Sequence, residues 1–299
     1  MPSDELKALL ELRWANKPDP TGPFEKLRDA GQDPGIEPRP GTTCERVDAD
    51  GVPCEWVIWD KPVTEAIIVY LHGGGYYRSS GPESRMIASN LSKVCGSRCF
   101  TVDYRLAPEH KFPAAVEDAF AAYRWLLDEG VLARDIVVCG SSAGGGLTAA
   151  LLAKLKMEDR ELPAASVLIS PWTDLTQSAE TYISNADKDP TISKLYLDLA
   201  AKRYLAEEDP KHPLASPVYS DLRGLSPTLI QVGNEETMLG DAEAFAEKAR
   251  ADGVNVTLEL FDDVPHAWHN SEQWVPGIPE VWEALERIGD FFRCHTNSK

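Results

Sequence analysis

The chain has 299 residues, of which 43% are hydrophobic and 26% charged, an ordinary globular balance that excludes a disordered chain. A formal net charge of −18 argues against nucleic acid and against anionic membrane surfaces as partners, since both would be repelled. The length suits one large α/β domain or two small ones. The first residues place acidic groups where a secretory signal carries basic ones, and no run approaches the roughly 18 apolar residues of a membrane span. Cytoplasmic placement is the expectation. Six scattered cysteines fit a reduced compartment; Cys95 and Cys99 form a C-x₃-C without a second pair or a nearby histidine, so no zinc site is expected.

Leu6, Leu9, Leu10, Leu12 and Trp14 predict an amphipathic helix. Pro18, Pro20, Pro23, Pro34, Pro38 and Pro40 then break the chain into loop and short helix. Such a segment cannot hold a core and is expected to pack on the main domain. Residues 42–48 and 54–59 read as a hairpin around Asp50-Gly51. Residues 66–71, a continuous apolar run, predict a strand buried on both faces. Further strands are expected at 98–102, 135–139, 165–169, 228–232 and 256–261. Helices are expected at 83–94, 113–128, 143–156, 241–251 and 279–293. The alternation predicts α/β with a mostly parallel sheet, helices on both faces and an antiparallel hairpin at its start. The rhythm fails from Ser170 to Pro217, where only residues 193–205 look helical, so this stretch reads as an insertion over the sheet.

Gly140-Ser141-Ser142-Ala143-Gly144 fits G-x-S-x-G between a strand and a helix. A serine on so sharp a turn is strained, and glycines two residues either side remove the collision. Ser142 is thereby presented above the sheet as a nucleophile. His72-Gly73-Gly74-Gly75 follows the preceding buried strand and leaves backbone N–H groups bare, as an oxyanion hole requires. Of six histidines, His266 leaves the last strand at the carboxyl edge of the sheet and is favoured as the base over His269. The orienting carboxylate is expected in the loop after the strand ending at Val232. Glu235, Glu236 and Asp241 are candidates there, and Asp241 also suits an N-cap of the next helix. The order serine, acid, histidine is that of α/β-hydrolases.

These motifs, together with D-Y-R-L-A-P-E-H at 103–110, S-P-W-T-D-L at 170–175, H-P-L-A-S-P at 212–217 and P-H-A-W at 265–268, resemble hormone-sensitive-lipase-type α/β-hydrolases, the bacterial carboxylesterase branch. The resemblance implies residues 1–41 as an N-terminal cap segment, 42–299 as the catalytic domain and 171–217 as a second cap segment inserted in it. It implies the N–H groups of Gly74, Gly75 and Ala143 as the oxyanion hole. The chain departs from the family at Ser141, where aspartate is frequent, and at Glu236, where aspartate is usual. Glu236 is taken as the acid and Asp241 as runner-up.

The expected activity is hydrolysis of carboxylic esters with short or compact acyl groups through an acyl-enzyme on Ser142, with no metal or organic cofactor. Tyr76, Tyr77, Trp172 and Trp268 are expected to bind substrate, with Trp14 and Tyr196 as further candidates. Lactone, amide or carbamate hydrolysis by the same residues is the alternative, and a non-catalytic ligand-binding relative is a remoter one. The edge position expected for residues 256–261 suggests a homodimer.

Overall fold

A computed structural model describes residues 1–29 and 36–296; Pro34 and the cap residues around it lie outside the described residues. Helices α1 (Asp4–Ala15) and α2 (Phe24–Asp29) precede the hairpin β1 (Thr42–Ala49) and β2 (Val52–Trp59). There follow β3 (Ile67–Leu71), α3 (Arg85–Cys95), β4 (Arg98–Val102), α4 (Ala114–Asp128), β5 (Ile136–Ser141), α5 (Ala143–Met157) and β6 (Ala165–Ile169). The chain continues through α6 (Thr181–Ser184), α7 (Lys194–Leu205), β7 (Thr228–Gly233), α8 (Leu239–Ala251), β8 (Val256–Phe261) and α9 (Pro279–His295).

The eight strands form one sheet in the order β1-β2-β4-β3-β5-β6-β7-β8. β2 pairs antiparallel with β1 and with β4, and every other pairing is parallel. Alternation of side chains along a strand sorts the core into two faces. Ile67, Val69 and Leu71 of β3 pack in the cluster that includes Ala115 and Ala119 of α4 and Leu147 and Leu151 of α5. Ile68 and Tyr70 pack in the opposite cluster with Leu91 of α3, Leu285 and Ile288 of α9, and Leu6 and Leu9 of α1. Because both faces are covered, β3, β5 and β6 are buried at every position. Their sequences accordingly read as continuous apolar runs rather than alternating ones.

Parallel strands bring their carboxyl ends to one edge, so the loops after β3, β5, β6, β7 and β8 converge there. The N-terminal segment crosses toward the same edge. Ser3 caps α1 by accepting from Leu6 N, and its own N–H and hydroxyl each donate to the Glu280 carboxylate of α9 at 2.7 Å. Lys17 Nζ donates to Ala186 O and Asp189 O, joining the N-terminal segment to the stretch between β6 and β7. Among the described residues, no helix is long and apolar enough to cross a membrane.

Candidate active site

The turn from β5 to α5 holds Ser142 at φ 56° and ψ −120°, a left-handed conformation that costs a non-glycine residue about 1–3 kcal/mol. The surroundings enforce it. Ser142 N–H donates to Ile169 O at 2.8 Å, and Ser142 O accepts from Gly145 N, Gly146 N and Trp172 N. A Cβ on Gly140 would lie 2.1 Å from Gly144 O, and one on Gly144 would lie 2.0 Å from Leu71 O. The glycines of the motif therefore answer to backbone packed against backbone.

The loop after β3 lies beside this turn. Gly74 and Gly75 adopt φ 111° and 61°, and a Cβ on Gly74 would sit 2.2 Å from Arg78 O. Among the described residues, neither glycine N–H donates to a backbone acceptor. Ala143 is the first residue of α5, where the N–H has no intrahelical acceptor. These three donors are the ones the sequence nominates for a developing oxyanion. His72 is turned away from that task. Its Nδ1 pairs with Gly73 O at 2.7 Å, its ring stacks on Tyr104 at 4.1 Å, and burial lowers its affinity for a proton.

His266 and Glu236 are both buried, and His266 Nδ1 lies 2.7 Å from Glu236 Oε2. An ionised carboxylate only accepts, so Nδ1 carries the hydrogen and Nε2 is left as the basic nitrogen. Glu236 is itself fixed. Its Oε1 accepts from Ser170 Oγ and from Gly233 N–H, each at 2.7 Å. Ser170 Oγ in turn accepts from Ala267 N–H at 3.1 Å, so one hydroxyl links Glu236 to the residue following His266. The longer glutamate side chain is accommodated by Gly233, since a Cβ there would lie 3.2 Å from Glu236 Cγ. Ser170 was legible only as part of S-P-W-T-D-L, with nothing local to assign it this role.

Asp241 has a different task. It lies in the first turn of α8, whose N-cap is Met238, so the N-cap expectation is corrected. Its Oδ2 accepts from Thr173 N and Asp174 N, and its Oδ1 from Tyr182 OH. It therefore holds the segment after β6 and makes no bond to His266. Burial pushes its carboxyl up to about 8, against those hydrogen bonds, which favour the charged form. Glu235 is half-buried in the same loop. The competing histidine, His269, is fully buried, with Nε2 paired to Gln231 Oε1 at 2.8 Å; burial drives its pKa down to about 3, so it is a neutral core residue.

Ser142 and His266 line one cleft of about 640 Å³, together with His72, Gly73, Gly74 and Gly75. Its outer walls come from Leu12, Arg13 and Asn16 near the N-terminus, and from Pro190 to Ile192, Tyr196 and Leu197 between β6 and β7. The aromatic expectations need correction. Tyr76, Tyr77, Trp172 and Trp268 are buried at 0–2% exposure and absent from the cleft wall. Tyr76 stacks on Tyr204 at 3.9 Å, Tyr77 lies against Phe24 and Tyr196, and Trp268 against Phe261, so their rings are spent on the core. Trp14 is exposed and also outside the wall, whereas Tyr196 and Trp274 are in it. Ser141 gains a set of partners that sequence reading missed. Tyr70 OH lies 2.9 Å from Ser141 Oγ and donates to Asn270 Oδ1, and all three residues line the cleft.

Known proteins share this fold. A family model described as alpha/beta hydrolase fold matches residues 68–270. An acetyl-hydrolase of Streptomyces hygroscopicus is 37% identical over 99% of this chain and 98% of its own length. The crystal structure of EstE5 soaked by p-nitrophenyl butyrate superposes with a TM-score of 0.93 at 37% identity, covering 98% of this chain and 99% of that one. An esterase from the bacterial hormone-sensitive lipase family gives a TM-score of 0.90 at 38% identity, with 99% of each chain covered. The chain belongs to the alpha/beta hydrolase family, in its bacterial hormone-sensitive-lipase branch.

Proposed function

We propose that the protein is a carboxylesterase in which Ser142 is the nucleophile, His266 the general base and Glu236 its orienting acid. One observation carries the reading: a serine on a left-handed strand-to-helix turn shares a cleft with a histidine whose Nδ1 is held by a buried carboxylate at 2.7 Å. The relatives named as acetyl-hydrolase and esterase, and the neighbour soaked with a butyrate ester, support ester hydrolysis as the activity.

His266 Nε2 removes the Ser142 proton as Oγ attacks the ester carbonyl carbon. The carbonyl oxygen takes the negative charge and is stabilised by the N–H groups of Gly74, Gly75 and Ala143. Donors preset in this way are worth about 3–4 kcal/mol each in the transition state. Protonated His266 then gives its proton to the departing alkoxide, leaving an acyl-enzyme. Water, deprotonated by the same nitrogen, attacks the acyl carbon and releases the acid. Glu236 keeps Nδ1 protonated through both steps and offsets the charge of the imidazolium.

In this reading residues 1–41 and 171–217 are cap segments, since both supply the outer wall of the cleft. Short or compact acyl groups fit a cleft of about 640 Å³ that must also hold the alcohol. The free thiols Cys44, Cys54, Cys95, Cys99, Cys139 and Cys294 suit a reducing compartment such as the cytoplasm. β8 ends the sheet and exposes Leu260, which supports pairing with a second copy; a monomer mass by light scattering overturns that pairing. The test of the activity is labelling by a fluorophosphonate together with hydrolysis of p-nitrophenyl esters of increasing length. Labelling and turnover in the wild type, lost in Ser142→Ala, are expected. A kcat/KM maximum at long-chain esters overturns the compact acyl preference, and absence of labelling overturns the nucleophile.

A further inference from the structure

The cleft contains two guanidinium groups that the proposed chemistry does not use. Arg13 reaches it from α1 and Arg78 from the loop after the glycine run. Both are half-buried. Among the described residues, neither forms an ion pair with a carboxylate. Arg13 lies over the Trp274 ring, 4.4 Å from its centroid, and Arg78 over Tyr196 at 5.5 Å. Both rings belong to the cleft wall. A guanidinium resting on a ring keeps its N–H edge for another acceptor. Arg13 Nε is buried without a hydrogen-bond partner.

Two like charges in partly desolvated surroundings repel. Burial first, and then the Arg78 charge, push the Arg13 pKa down to about 10, while Asp189 pulls it back up. Burial works against the Arg78 charge, but Tyr196, Tyr77 and Glu83, together with a hydrogen bond to the Tyr196 side chain, hold Arg78 above its ordinary value, so part of its N–H edge is already used. An anion placed between the two would relieve this repulsion. Among the described residues, the charged ones lining the cleft are Arg13, Arg78 and Glu83, with Asp189 close enough to act on Arg13, on a chain of net charge −18. Guanidinium N–H pairs match the planar carboxylate group bidentately.

We propose that Arg13 and Arg78 form an anion subsite beside Ser142, and that the preferred substrates are esters carrying a free carboxylate on the acyl or the alcohol part. The proposal rests on the esterase reading and deepens it by naming a substrate class.

The test compares ethyl hydrogen glutarate (anionic acyl part) and the acetate ester of γ-hydroxybutyrate (anionic alcohol part) with their neutral methyl-ketone isosteres, by pH-stat at pH 8. The quantity read is the ratio of kcat/KM for the anionic ester to that for its isostere. In at least one arm this ratio should fall about tenfold in Arg13→Met and in Arg78→Met, the loss expected for a charge-assisted hydrogen bond. A change below threefold in both arms overturns the subsite. A thermal-shift titration of the wild type with glutarate and with glutaramide covers a variant that does not fold. Stabilisation by glutarate alone supports the subsite, and equal shifts overturn it. If no ester is hydrolysed in either arm, the esterase reading fails separately and the titration alone decides the subsite.

Discussion

Glu236, in the loop after β7, and Asp241, in the first turn of α8, stand five residues apart, both carboxylates, both buried, and they have opposite occupations. Glu236 spends one oxygen on Ser170 and Gly233 and turns the other to His266. Asp241 spends both on the frame, one on Thr173 N and Asp174 N and the other on Tyr182. The difference is one of partners rather than of residue type or depth. A carboxylate becomes part of the chemistry here when one of its oxygens is left for a base.

The comparison breaks most sharply at Glu236→Gln. The amide cannot compensate an imidazolium and can donate to Nδ1, holding His266 in the wrong tautomer, so kcat should fall roughly 10³–10⁴-fold with folding unchanged, as steady-state kinetics and circular dichroism would show. Glu236→Asp retracts the carboxylate by one methylene. A misplacement of about 1 Å typically costs about 10²-fold, so this variant should fall between the wild type and Gln. Retention of full activity would mean that the loop relaxes onto the shorter acid. Ser170→Ala removes the hydroxyl linking Glu236 to Ala267, and a drop of about tenfold in kcat/KM is expected.

Asp241→Asn should leave kcat within about threefold and act on stability instead. The carboxyl of Asp241 titrates near 8 in the folded protein and near 3.8 unfolded, so between these values the folded state binds the extra proton. Its contribution is fully present below about pH 4 and is lost as pH rises toward 8, by at most about 1.4 kcal/mol per pH unit. Melting curves across that range should therefore show the wild type losing ground to Asp241→Asn as pH rises. A constant gap would show that the site does not titrate there.

Most of the frame was legible because its signals are local. The spans 98–102, 165–169 and 256–261 coincide with β4, β6 and β8, each an apolar or β-branched run between breakers. The elbow was legible because steric exclusion leaves only glycine at Gly140 and Gly144. The resemblance already pointed to Glu236, but Asp241's own role needed the fold: nothing near it in sequence announces that Thr173 and Asp174 will bond to it across 68 and 67 residues. The aromatic side chains misled for a similar reason. Tyr76 and Trp172 flank the nominated motifs, yet local position does not say which face a ring turns to, and theirs is the core. Arg13 and Arg78 become neighbours only when α1 is laid over the edge of the sheet.

The approach of α5 to the segment after β6 has a mechanical consequence. A Cβ on Gly146 would fall 2.1 Å from Trp172 O, and Trp172 N donates to Ser142 O, so the elbow is wedged between two backbones. On the opposite wall, the N-terminal segment meets the stretch between β6 and β7 through Lys17 Nζ on Ala186 O and Asp189 O and through Arg203 over the Phe24 ring. The amide protons of Ser142, Gly145 and Gly146, each bonded to a buried backbone oxygen, should exchange with deuterium late, and that of Ala143 earlier. Ser142 is thereby held by backbone on two sides, whatever occupies the cleft.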